Sequence, residues 1–390
     1  MNNFRPMNYH ESYWDYITSS DRDICKLIKS YIDQWINIYI INKSATKEKN
    51  KDLLNRLKSK KRDQFIAAFF ELYIFMLFTN LGFDVEIEPV LDDNSKPDFL
   101  VTNIETKDQI YIEVTSISEG EINSKRETSI NCIKDKINKQ IASDKYAISL
   151  YWYGICVEND INKMVVNEIK NWIAKPTSCY EKQFDNWYLK LEAKEVTKPC
   201  KRIIAMCMNE KVQCLSQKSK LTLDNPVEYS MNASELIKKG LTGKTKYDDL
   251  KQSYIIAINT LGHFFDTINL EEALFGTECI VHEESLNGFE ERFCRQKDGF
   301  FSTKKSDNVN AILCFFNLEP FSLVDLSETS SSKKKNPKIY INSYAIYPIN
   351  SKFIAKLKNH NSNSSDLDLN KLYDVIGINK EDWIKSWNSS

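Results

Sequence analysis

The 390-residue sequence has no C-x-x-C pair among its ten cysteines and only four scattered histidines, His10, His263, His282 and His360, so a structural zinc site is not expected. It has no excess of either charge: 53 Lys and Arg stand against 54 Asp and Glu, for a net charge of −1. A global field that draws in nucleic acid is thereby excluded, and any polyanion site must come from a local cluster of Lys and Arg. No apolar run reaches the roughly 18 residues of a membrane span. The opening, MNNFRPMNYHESYWDYI, lacks the basic-then-apolar layout of a secretory signal, and the cysteines then read as reduced thiols of a cytoplasmic protein. No G-x-x-x-x-G-K-S/T loop is present; GLTGKT at 240–245 is too short and precedes no convincing helix, so nucleotide binding is not expected. A G-x-S-x-G nucleophile elbow and internal repeats are also missing.

What is present is ordinary globular material: 42% hydrophobic and 27% charged residues, in a chain long enough for two or three domains. Residues 21–41 carry apolar side chains at helical spacing, from Ile24 to Tyr39. The stretch from Lys43 to Arg62 holds nine Lys or Arg against two acids and reads as a helix over 47–62. Its basic residues are either a solvated helix face or a phosphate-contacting arm, with Lys58, Lys60, Lys61 and Arg62 the candidate nucleic-acid contacts. Residues 63–81 form a very apolar helix, closed by Gly82. FDVEIEPV then alternates as a strand, PDFLV and IYIEVTSI follow as two more, and a helix is expected over about 125–142. YAISLYWYGI and DNWYLKLEAK read as strands, as does QSYIIAINTLG, with ASELIKKGLTGKTKYDDL as a helix weakened by an internal glycine. NAILCFFNL and KIYINSYAIYPI read as strands near the end, and the last thirty residues as polar with one short helix. His263 and the aromatic group at 151–154 read as structural.

Three carboxylates stand out. Glu71 sits within the apolar helix between Phe70 and Leu72, where an ionised group is costly unless a cation meets it. It either faces the surface, pairs with a lysine, or points toward a metal on the adjacent sheet. Asp98 follows Pro97, which keeps the preceding residue extended. In IYIEVTSI, Ile110, Ile112 and Val114 point one way and Tyr111, Glu113 and Thr115 the other. Glu113 and Thr115 thus share the face that meets Asp98 on the neighbouring strand.

The order of helix-borne Glu71, a short strand, Pro97-Asp98, a hairpin strand and Glu113-Val114-Thr115 resembles the PD-(D/E)XK, or restriction-endonuclease-like, nuclease superfamily. The resemblance covers roughly 63–150. It implies an α/β fold with an αβββαβ core and mixed sheet, and one or two Mg²⁺ (or Mn²⁺) ions. Asp98 and Glu113 would be metal ligands, the Val114 carbonyl a third, and Glu71 would complete the shell directly or through water. Glu71, Asp98, Glu113 and Thr115 are the catalytic candidates. The family has a lysine where this chain has Thr115, whose hydroxyl brings no charge. A lysine then arrives from elsewhere (Lys125, Lys136, Lys244 or Lys246), or the metals suffice, or the site is inactive.

The expected organisation is a helical basic region over 1–62, a nuclease-like core over 63–280 with an insertion around 155–235, and a C-terminal α/β extension over 281–390. The expected function is metal-dependent hydrolysis of DNA phosphodiesters by an endonuclease. The resemblance implies restriction or phage defence as its setting, and a homodimer or a defence-system protein as partner. The alternative is a catalytically inactive module that binds nucleic acid or docks a partner.

Overall fold

The computed structural model describes residues 11–118, most of 233–324, 336–358 and 365–388, with four strands and a few helical residues between 146 and 205. It separates into two compact units, one built from 12–119 and 231–390 and the other around 120–230.

The first unit opens on helices. Ser12 caps α1 (Tyr13–Ser19) by accepting from the Asp15 N–H, and α2 (Asp23–Ile40) buries its stripe of Ile24, Ile28, Ile32, Trp35 and Tyr39. The expected continuous helix over 47–62 is broken. α3 spans Lys47–Leu57 and α4 spans Arg62–Asn80. The reason is Ser59: its hydroxyl takes the Lys61 N–H and donates to Gln64, offering the backbone a bond that competes with helix. α4 is buried almost all round, and ends where Gly82 takes φ +82°, the left-handed conformation that closes a helix without Cβ strain.

Three antiparallel strands follow: β1 (Phe83–Ile87), β2 (Phe99–Asn103) and β3 (Gln109–Ser118), with Ile87 opposite Phe99 and Phe99 opposite Ile112. Asn103 turns the chain between β2 and β3 by accepting from the Glu105 N–H at 2.9 Å. The second unit interrupts the chain here. Its strands are β4 (Tyr146–Gly154), β5 (Cys179–Phe184), β6 (Trp187–Glu195) and β7 (Ile204–Ala205), in the sheet order β5-β6-β4-β7. The helix expected over 125–142 lies outside the described residues.

The first unit resumes with α5 (Ala233–Thr242), β8 (Ser253–Leu261) and α6 (Thr267–Phe275). A hairpin, β9 (Glu278–Ser285) and β10 (Gly288–Arg295), forms its own two-stranded sheet. β11 (Ala311–Phe316) and β12 (Lys338–Ile341) complete a six-stranded mixed sheet in the order β1-β2-β3-β8-β11-β12. β8 runs parallel to both β3 and β11, and is apolar without alternation because both faces are covered. On one face Tyr254, Ile256 and Ile258 share a core with Ile237 and Leu241 of α5 and Leu270 of α6. On the other, Phe315 meets Phe70 and Tyr73 of α4 edge-on at 5.5 and 5.4 Å.

Two expectations near the end need correction. KIYINSYAIYPI is strand only over its first four residues: after a last bond from the Asn342 N–H to the Asn310 carbonyl, the buried Asn342 side chain accepts the Tyr344 N–H at 3.0 Å and donates to the Ser306 and Val309 carbonyls, turning the chain away. Two helices, not one, occupy the last thirty residues: after α7 (Ser351–Leu357) come α8 (Leu369–Val375) and α9 (Lys380–Asn388). Trp383 of α9 is fully buried, and the Asn379 N–H before it donates to Tyr31 of α2. Among the described residues, no helix is long and apolar enough to cross a membrane.

Candidate functional site

The β1–β2 ladder runs one residue past Phe99, because the Glu88 N–H donates to the Asp98 carbonyl at 2.8 Å. Extending the β2–β3 register by the same residue sets Asp98 across from Glu113. Opposed residues of an antiparallel pair point to the same face, so the two carboxylates stand side by side. Asp98 Oδ2 accepts the Val114 N–H at 2.6 Å, which fixes the aspartate against the middle of β3.

Glu113 is buried, at 2% exposure, and both oxygens are held. Lys244 Nζ donates to Oε1 at 2.7 Å and the Tyr247 hydroxyl to Oε2 at 2.8 Å. Both donors lie just past α5, which stops at Thr242 rather than running on to Leu250 as its sequence suggests. The segment is pinned from three sides. Tyr254 of β8 donates to the Lys244 carbonyl at 2.8 Å, Asn308 donates to the Tyr247 carbonyl at 3.2 Å, and the Tyr247 ring meets Tyr254 edge-on at 5.5 Å. Of the four lysines weighed from sequence, Lys244 is the one the described residues place against Glu113. Thr115 itself lies opposite Ile258 of β8. Lys125, Lys136 and Lys246 are outside the described residues.

Burial, reinforced by the charges of Glu113 and Glu71, pushes the Asp98 carboxyl up to about 8. The Val114 N–H and Lys244 pull it the other way and lose to desolvation. Burial with the Glu113 charge also raises the Tyr247 hydroxyl, which keeps it a donor.

Glu71 is 8% exposed and meets Arg56 of α3, whose Nη1 donates to Oε2 at 2.7 Å. Burial raises its carboxyl and Arg56 opposes the rise. Glu71 thus belongs to the same field as Asp98 while its direct partner is arginine. Arg56 also holds Asp52 at 2.7 Å.

Sequence reasoning missed Glu88, Arg56, Tyr39 and Tyr247 as neighbours of this centre. Glu88 reads as one more acid on the polar face of β1, after Asp84 and Glu86. The chain instead takes φ +44° there, half-burying Glu88 where its charge acts on Glu71 and on Tyr39. A non-glycine residue in that region is strained, and such strain clusters at functional sites. Position before Pro89 is the one sequence signal it carries.

The basic group lies away from this centre, in the turn between α3 and α4 and at the first residue of α4. Lys58, Lys60, Lys61 and Arg62 are all exposed. Lys58 lies 5.8 Å from the Trp14 ring, and Arg62 lies 5.8 Å from the Tyr13 ring and pairs with Glu319. Helical rise places Arg62 about 14 Å along the axis from Glu71. His263 lies outside the described residues.

Chemically, Asp98 and Glu113 form a pair of hard oxygen donors whose mutual repulsion a divalent cation would relieve. They fit Mg²⁺ or Mn²⁺ in donor type. Among the described residues, no three His, Cys, Asp or Glu side chains converge closely enough to enclose an ion, since Arg56 draws Glu71 and Lys244 draws Glu113 to their own partners. Comparison with family models, with curated proteins and with solved structures finds no match to this chain.

Proposed function

We propose that the first unit is a restriction-endonuclease-like core and that the Asp98–Glu113 pair is the centre of a metal-dependent nuclease acting on DNA. One observation carries the reading. A lysine ammonium, absent from the strand position where the family has it, meets the same glutamate from another element, 2.7 Å from Glu113 and beside Asp98. The element order supports it: an acid-bearing helix, a three-stranded meander, a helix, then a strand parallel to the third.

Asp98 and Glu113 would hold the cation, with Glu71 and Glu88 close enough in charge to add to its field. A bound Mg²⁺ would polarise a phosphoryl oxygen and lower the pKa of an attacking water. Lys244 supplies a fixed positive charge for the phosphate and for the negative charge that grows on it. Tyr247 holds the second Glu113 oxygen, so the carboxylate cannot rotate away. Lys58, Lys60, Lys61 and Arg62 would bind backbone phosphates outside the centre, positioning without reading sequence.

The test is cleavage of plasmid and single-stranded DNA with Mg²⁺ or Mn²⁺, comparing wild type with Asp98→Ala and Glu113→Ala. Metal-dependent cutting that both variants lose supports the reading. A second reading, a non-catalytic module that binds nucleic acid or docks a partner, is favoured by the pairing of Glu71 with Arg56 and of Glu113 with Lys244 and Tyr247, which satisfies these charges within the fold. Mn²⁺ titration by calorimetry separates the two. No binding by wild type, together with no cutting, sinks the nuclease.

A further inference from the structure

Away from the carboxylates, two cysteines face each other across the β9–β10 hairpin. Cys279 is directly opposite Cys294 in the register, and their sulfurs are 2.7 Å apart. Opposed residues of an antiparallel pair have Cα atoms about 4.5–5.5 Å apart, inside the range a disulfide spans. No backbone movement is then needed to join them.

The backbone around the pair is also fixed. At the root of the hairpin the Gln296 N–H donates to the Thr277 carbonyl at 2.9 Å, and Asp298 accepts from the Thr277 N–H and hydroxyl at 2.9 and 2.8 Å. Arg295 donates to the Gly276 carbonyl at 3.1 Å and pairs with Glu278. Gly276 itself, at φ +102°, sits so close to the Gln296 carbonyl that a Cβ would come within 1.9 Å of it. The two sulfurs are thus held together by the strand ends and not by chance side-chain contact. They are also reachable. Both are part-exposed, whereas Cys25 and Cys314 are fully buried.

We propose that Cys279 and Cys294 form a reversible disulfide, made by exchange with a low-molecular-weight disulfide such as oxidised glutathione. One cysteine thiolate attacks a glutathione sulfur, the glutathione S–S bond breaks, and one glutathione thiolate leaves. The second cysteine thiolate attacks the protein-bound sulfur, the Cys279–Cys294 bond forms, and the second glutathione leaves. Two electrons pass from the cysteine sulfurs to glutathione, and the two cysteine protons end on the released thiols. Oxidation would staple the open end of an exposed hairpin.

The full chain, first reduced, is equilibrated in glutathione buffers of graded poise. Free thiols are blocked with iodoacetamide, and the protein is mapped by peptide mass spectrometry without reduction. The expected result is a single peptide pair joined through Cys279 and Cys294, 2 Da lighter than its parts. Labelling of both residues is lost together with one midpoint, in a monomeric band. In Cys279→Ser, Cys294 is expected to keep a glutathione adduct that wild type resolves. The proposal is overturned if both residues stay labelled throughout, if a glutathione adduct persists on either in wild type, or if the bond forms to another cysteine or another chain.

Discussion

At the scale of single residues, two acids are held by cations that come from other elements, and removing either cation has a different cost. On the proposed nuclease reading, Lys244→Met should leave Mn²⁺ binding intact while cutting cleavage about 10²–10³-fold, the usual cost of one charge-stabilising donor; retained cleavage would take Lys244 out of that role. Arg56→Met leaves Glu71 buried without its partner and should lower unfolding free energy by about 3 kcal/mol in urea. Asp98 gives a pH signature. Its ordinary value is 3.8 and in the fold it is pushed up to about 8, so the fold favours the neutral acid. That contribution to stability is complete below about pH 4 and is lost as pH rises through about 8. With chelator present, the wild-type denaturation midpoint should fall from pH 5 to pH 8.5 more steeply than that of Asp98→Asn. Equal slopes would assign the pH dependence to other groups. Glu71 was legible as an acid inside an apolar helix, whereas Asp98 and Glu113 were picked out by Pro97, by the hairpin and by the order of the three acids that the family resemblance supplied. Lys244 was one of four lysines open to choice, since nothing local marks it. Tyr247 and Arg56 had no local signal, because their partners lie 134 and 15 residues away.

At the scale of elements, β1 to β3 follow from alternation, while α4, β8 and β11 follow from continuous apolar runs, long in the helix and short in the strands of a sheet covered on both faces. The breaks were less visible. One serine splits the basic helix, and Asn342 ends β12 early; in each case a side chain bids for backbone bonds that pattern cannot weigh. α5 shows the converse. Its internal glycine looks like a weakness in sequence, yet a Cβ on Gly240 would lie 2.7 Å from Cδ1 of Ile117 on β3. The glycine lets the helix approach the strand that carries Glu113. Gly240→Val should therefore destabilise by about 1–3 kcal/mol despite removing a poor helix former, and Ile117→Ala should recover part of the loss in a double-mutant cycle. Additive losses would mean that the two do not touch.

At the scale of the whole molecule, the sheet gathers strands from both ends of the chain, and the second unit falls between β3 and β8 in chain order. Sequence shows each strand but not which strands lie together, because parallel pairing leaves no local trace. The polar C-terminal stretch hides its anchor in the same way: Trp383→Ala should cost about 3–5 kcal/mol although most of its helix looks solvent-facing. The parallel pairing of β3 with β8 also sets a timing problem during synthesis. Chains grow at about 5–20 residues per second, so β3 waits on the order of ten seconds for its central neighbour to be made. Throughout that interval its free edge is a template for another chain. A charge in the middle of such an edge blunts wrong pairing, and Glu113 stands there. The residue proposed as a metal ligand would then also guard the nascent chain against aggregation before the fold is complete.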